Sequence, residues 1–154
     1  MKQIVQYLSN GQTEILEVPT PQVSKGKVLV KSDISLVSYG TEKMLINFGK
    51  SNYISKALQQ PDKVKGVIAK LKNDGIYSTY DAVKSKLDKP IPLGYSNVGT
   101  IIEIGEGVEN LSIGDRVVSN GNHAEVVCIP INLCTKIPDN VSNELACFTV
   151  LASI

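Results

Sequence analysis

The chain of 154 residues has no tryptophan, two phenylalanines, one histidine and three cysteines. So few aromatic residues leave the core to Ile, Val and Leu, and a hydrophobic content of 42% is enough for one sizeable core. The lone histidine, His123, and the cysteines Cys128, Cys134 and Cys147, which form no C-x-x-C pair, argue against a metal site. Zinc takes three or four Cys, His, Asp or Glu ligands at short recurring spacings. His123 with Glu125 and Cys128 is no better a set, because a strand sends alternate residues to opposite faces. An odd number of unpaired cysteines reads as reduced, buried thiols in a cytoplasmic protein. No 18-residue apolar run exists, which excludes a spanning helix, and Met1-Lys2-Gln3-Ile4 enters an alternating pattern with no signal-like stretch.

A strong charge of either sign is also missing: the formal net charge is +1. That balance conceals an asymmetry. Residues 43–89 hold ten lysines against Asp62, Asp74, Asp81 and Asp88, a local +6, while the remainder is −5. The plain reading is a solvated helical surface. The functional ones are a phosphate-bearing ligand or an acidic neighbouring domain. No Arg or aromatic residue interleaves with the lysines in the manner of a stacking platform, so nucleic acid is not expected, and composition makes no case for a membrane.

What is present reads as strands, then helices, then strands. Ile4–Leu8 and Glu14–Val18 flank the turn pair Asn10-Gly11 and predict a hairpin. Lys27 to Ser35 predicts a strand partly buried on both faces. Helices are expected within about 41–88. Val64, Val67, Ile68 and Leu71 share one helical face, with Asn73-Asp74-Gly75 as its stop. Ser78 followed by Asp81 resembles a capping box, and a break is expected near Gly49 to Asn52. After Pro90 and Pro92, strands return at Gly99–Gly105, around Arg116-Val117-Val118, at Ala124–Ile129 and at Cys134–Ile137. Many short strands separated by Gly and Pro predict a mainly β, partly open barrel with a helical insertion at about 43–89. A terminal helix is expected from about 142, capped by Ser142. Its run from Leu145 to Ile154 is apolar on nearly every face and carries no stop signal, so continuation into a second domain is expected.

Two clusters offer chemistry. Ser38-Tyr39-Gly40-Thr41-Glu42 and Gly94-Tyr95-Ser96-Asn97 each sit at a strand end and together supply hydroxyls and a carboxylate. Thr41 also reads as the cap of a helix beginning at Glu42. His123 reads as a surface or rim residue, or as one lining a cleft near substrate. Gly105-Glu106-Gly107 lacks a third glycine and a following helix, so it is a turn and not a dinucleotide fingerprint.

In order along the chain, Lys27–Lys31, Tyr39-Gly40-Thr41-Glu42, Leu93–Gly99, Ile102–Gly105, Gly114-Asp115-Arg116-Val117, His123–Val127 and Lys136–Asp139 resemble the N-terminal GroES-like domain of the medium-chain dehydrogenase/reductase superfamily. Zinc-dependent members carry Cys-Gly-Thr/Ser-Asp and Gly-His-Glu where this chain has Tyr39-Gly40-Thr41-Glu42 and Gly94-Tyr95-Ser96. The lobe that holds structural zinc is absent as well. The resemblance implies no bound zinc, with Thr41, Tyr39, Tyr95 and Ser96 as candidate catalytic groups and Glu42 and His123 behind them. The lysine-rich insert resembles a branch of bacterial bi-domain oxidoreductases linked to sugar or polysaccharide metabolism. It implies NAD or NADP held by a Rossmann domain of the same parent chain beyond residue 154. The substrate would be a small carbonyl, alcohol or sugar-type molecule, a phosphate- or nucleotide-bearing one being consistent with the lysines, and a homo-oligomer is allowed. The competing reading is a non-catalytic GroES-like barrel used for binding or assembly.

Overall fold

The computed structural model describes residues 1–152. The elements in chain order are β1 (Lys2–Gln6), β2 (Thr13–Glu17), β3 (Lys27–Ser35), α1 (Tyr39–Lys50), α2 (Tyr53–Gln59), α3 (Pro61–Asp74) and α4 (Ile76–Asp88), followed by β4 (Ile91–Pro92), β5 (Asn97–Ile104), β6 (Arg116–Ser119), β7 (Val126–Pro130), β8 (Cys134–Lys136), α5 (Asn143–Cys147) and α6 (Thr149–Ala152). Five strands form one sheet in the order β7-β3-β5-β6-β8, and three form another in the order β2-β1-β4. The mainly β framework with a helical insert is as expected, and the sheets do not close into a barrel. The residues fall into two compact units, 1–4 with 15–39 and 92 onward, and 5–14 with 40–91.

The first unit contains the whole five-stranded sheet, every neighbouring pair of which is antiparallel. Its two faces bury different clusters because successive side chains of a strand point opposite ways. Val117 packs with Val28, Val30, Ile101, Val127 and Ile129. Its neighbour Val118 packs with Val98, Ile137, Ala146 and Cys147. This is the aliphatic core that the shortage of aromatic residues demands, each fully buried Val or Ile contributing about 1.5–3 kcal/mol.

The terminal segment closes the second of these faces. Ser142 caps α5 as expected, its Oγ accepting the Leu145 N–H at 3.4 Å. The apolar run that follows is not one helix. The chain tightens at Phe148, whose N–H bonds Leu145 O, and resumes as α6. Only Ala146 and Cys147 are buried in α5, while Leu145 and Phe148 remain 68% and 56% exposed. Ser153 and Ile154 lie outside the described residues.

The second unit holds most of the helical insert. Helix α1 ends where the break was expected, and Asn52 caps α2 by accepting the Ser55 N–H at 2.8 Å. Lys56 is buried, with its Nζ donating to Gly49 O at 2.8 Å and Ser9 O at 3.1 Å. It thereby ties the last turn of α1 to the Ser9 loop, and burial holds its ammonium below the usual lysine range. Pro61 opens α3, a position that needs no N–H. Gly75, at φ 83°, ends α3 with its N–H on Leu71 O and at once begins α4. The capping box expected at Ser78 therefore does not form. Thr79 bonds Gly75 O through both N–H and Oγ, which starts the helix before Ser78.

Candidate functional site

The first unit has a groove of about 330 Å³ lined by Ile4, Ser32, Asp33, Ser35, His123 and Glu125, among others. Its geometry starts from Gly94. At φ 89° this residue adopts a left-handed conformation that costs glycine nothing, and a Cβ there would lie 2.7 Å from two carbons of the His123 ring. The imidazole thus lies flat against the glycine backbone. Its Nδ1 is 2.8 Å from Ser35 Oγ. The His123 N–H donates to Leu93 O, and the His123 carbonyl accepts from the Ile4 N–H. With 5% of its surface exposed, His123 is not the surface residue one reading of the sequence expects. It borders the groove from a buried position.

The segment after Gly94 divides its tasks. Tyr95 is half-buried. Ser96 is buried, and its Oγ donates to Cys147 O at 2.6 Å. A serine hydroxyl has one proton, so this bond leaves Ser96 oxygen lone pairs but no further donor. Asn97 is wholly buried; its Nδ2 donates to Ser32 Oγ at 2.8 Å and to Asn122 O at 3.4 Å, while its Oδ1 accepts no hydrogen bond.

Tyr39, Tyr95, Ser96 and His123 therefore share one unit, and Thr41 and Glu42 belong to the other. Tyr39 is 73% exposed and begins α1. Thr41 lies inside the first turn of that helix, which starts three residues earlier than a Thr41 cap requires, so the capping reading fails. Glu42 is buried in the same turn. Tyr39, Thr41 and Glu42 each have interactions of their own. Two participants are not legible in the sequence. Ser35 reads there as the last residue of a strand, and Gly94 as a boundary marker. The available signal is the Leu-Gly-Tyr-Ser turn itself, which gives no sign of the histidine 29 residues later that rests on it.

Among the described residues no group of three or more His, Cys, Asp or Glu side chains is placed to hold a metal. Nor does the Gly105-Glu106-Gly107 segment form a phosphate cradle. Glu106 O accepts the Gly26 N–H, Glu106 pairs with Lys25 at 3.1 Å, and no helix follows Gly107 to present its N-terminus to a pyrophosphate. The segment is the turn expected from its sequence.

Comparison with known proteins agrees with this architecture. The alcohol dehydrogenase GroES-like domain model matches residues 64–139. The highly reducing polyketide synthase pspA of Penicillium soppii is 34% identical over 100 residues, covering 62% of this chain and 4% of that protein. The quinone oxidoreductase of Coxiella burnetii aligns with 96% of this chain and 40% of its own at a TM-score of 0.62 and 23% identity. Escherichia coli quinone oxidoreductase complexed with NADPH aligns with 96% and 36%, at a TM-score of 0.62 and 14% identity. The chain thus spans two-fifths or less of each of these relatives. With the ordered motifs and the open antiparallel sheet, the matching model shows that residues 64–139 of this chain form an alcohol dehydrogenase GroES-like domain.

Proposed function

We propose that the chain is the substrate-side domain of an NAD(P)-dependent, zinc-independent oxidoreductase that transfers hydride to or from a small carbonyl, alcohol or sugar-type substrate. The observation that carries this reading is a set of replacements. Tyr39, Tyr95 and Ser96 stand where zinc-dependent members hold their metal, in a chain that otherwise keeps the family's motifs in order. Without a Lewis acid, negative charge forming on a substrate oxygen must be met by O–H donors. Tyr39 and Tyr95 have phenolic protons to give, and Thr41 keeps the family's hydroxyl relay position. Ser96 acts as a positioning residue, since its bond to Cys147 fixes the turn behind Tyr95. Glu42 orients its neighbours, and His123, held by Gly94 and Ser35, forms a wall of the substrate groove. The NADPH in the E. coli relative supports a nicotinamide cofactor. A dinucleotide-binding domain of the same parent chain would hold it.

The test is NAD(P)H-linked turnover by the parent protein, followed by Thr41→Ala and Tyr95→Phe with folding checked by circular dichroism. Each should lower kcat/KM on the order of 100-fold, the cost of one oxyanion donor. Two fully active variants would show that these residues are not the donors. A parent protein that moves no hydride with either nucleotide would favour the non-catalytic barrel.

A further inference from the structure

The insert exposes an apolar surface that the proposed chemistry does not use. No residue of α3 is buried, and Ile68 and Leu71 are 49% and 41% exposed. Val64, Val67, Ile68 and Leu71 fall within an arc of about 100° at 3.6 residues per turn. On the same wheel Lys65 and Lys72 border one edge of this stripe, and Lys63 and Lys70 border the other. Helix α4 repeats the arrangement. Ile76, Tyr80, Val83 and Leu87 form its stripe, and Lys84 and Lys86 lie at the edges. Ile76, Tyr77 and Tyr80 stand open to solvent. Lys65 and Lys70 touch Asp62 and Asp74 at 3.4 and 2.8 Å, partly or fully exposed pairs that water and salt weaken.

The chemistry of this surface selects its occupant. Residues 61–89 contain seven lysines and four aspartates, with no arginine or tryptophan. Protein interfaces are depleted in lysine, and of the Trp, Tyr and Arg that give them their strongest contacts this surface carries Tyr77 and Tyr80 alone against seven lysines, so it is poorly composed for one. Nucleic-acid recognition would use arginines and stacking rings interleaved with the basic residues. Apolar stripes bordered on both sides by lysines are instead suited to a headgroup layer. The stripe enters the acyl boundary, the long lysine stems reach back to the phosphates, and tyrosine rings sit at the interface.

We propose that the α3–α4 hairpin is a peripheral docking surface for a bilayer rich in anionic phospholipid. The hairpin lies on the surface without crossing: no helix among the described residues is long and apolar enough to span. Each lysine near an anionic surface contributes about five-fold to the partition coefficient, so charge and apolar insertion are both needed.

The experiment is co-sedimentation of the 154-residue chain with large vesicles of phosphatidylcholine alone and of phosphatidylcholine with phosphatidylserine at about 7:3. Binding is expected to the second only, and to fall as salt is raised. The variant K63Q/K65Q/K70Q/K72Q should bind about 600-fold more weakly. V67S/L71S, with every lysine retained, should also lose at least about ten-fold. Neither change touches a buried residue, and far-UV circular dichroism checks that both variants fold. No binding to the anionic vesicles overturns the proposal, as does binding that survives either variant. Equally tight, equally salt-sensitive retention on duplex DNA or on an acidic polypeptide also overturns it, in favour of a general polyanion surface.

Discussion

Alanine in place of Gly94 tests whether the glycine surface positions His123. Two costs arise and can be separated. The first is conformational: a Cβ in the left-handed region costs about 1–2 kcal/mol. Gly107, in the same unit and at φ 83°, isolates that cost because a Cβ there meets nothing within 4 Å. The second is steric. A Cβ at position 94 would sit 2.7–2.8 Å from three atoms of the imidazole, well inside ordinary van der Waals contact. The ring must shift, which adds overpacking of about 1–3 kcal/mol. It also strains the bond to Ser35, worth about 1 kcal/mol. Gly94→Ala should therefore exceed Gly107→Ala by about 2–4 kcal/mol, or about 4–16 °C in Tm for a chain of this size. Thermal melts followed by far-UV circular dichroism measure both. In a His123→Ala background the excess should vanish, since the ring that causes the clash is gone. Equal losses for Gly94→Ala and Gly107→Ala, or an excess that persists without the imidazole, would refute the reasoning.

Two further predictions concern groups whose protonation the fold disturbs. Burial pushes the Cys134 thiol up from 9.0 to about 11, so at pH 8 its thiolate fraction is about 100-fold below that of an ordinary thiol. Peptide mapping after timed iodoacetamide labelling should find Cys134 alkylated correspondingly slowly in the native chain and at the ordinary rate after denaturation. Lys56 lies below its ordinary 10.5 through desolvation. Between the lowered folded value and 10.5 the unfolded chain holds a proton that the folded chain does not, so stability rises with pH through that window. Lys56→Met should abolish that slope. It should also cost about 1–3 kcal/mol by withdrawing the donor from Ser9 O and Gly49 O, measured by urea denaturation at several pH values.

The strands are legible in the sequence because their signals are local. Lys27 to Ser35 has the length and β-branching of a strand, and its boundaries agree with the observed β3. The helices are legible for the same reason, with the Val64, Val67, Ile68 and Leu71 face and the Gly75 stop marking α3. Errors arise where two local signals compete. Ser78 and Asp81 spell a capping box, but Gly75 already supplies the carbonyl that Thr79 binds, so the helix starts earlier. Thr41 reads as a cap because Glu42 follows it, whereas α1 includes Tyr39 and Gly40. The site is less legible because its decisive contacts are distant in sequence. The hydroxyl of Ser96 is engaged 51 residues away, and His123 meets Ser35 88 residues away. No pattern within either segment encodes such a meeting.

The order of the five-stranded sheet also bears on how readily its margins could pair with a strand of another chain. A strand at a sheet margin is a template onto which another chain can pair. Here one margin is β8, three residues long and ending in Lys136, and the other is β7, which ends in Pro130. A margin this short pairs poorly, a charged end resists desolvation, and proline has no N–H to continue a ladder. Replacing Pro130 and Lys136 with β-branched apolar residues would remove both safeguards and favour edge-to-edge aggregation of a domain whose core would be unchanged.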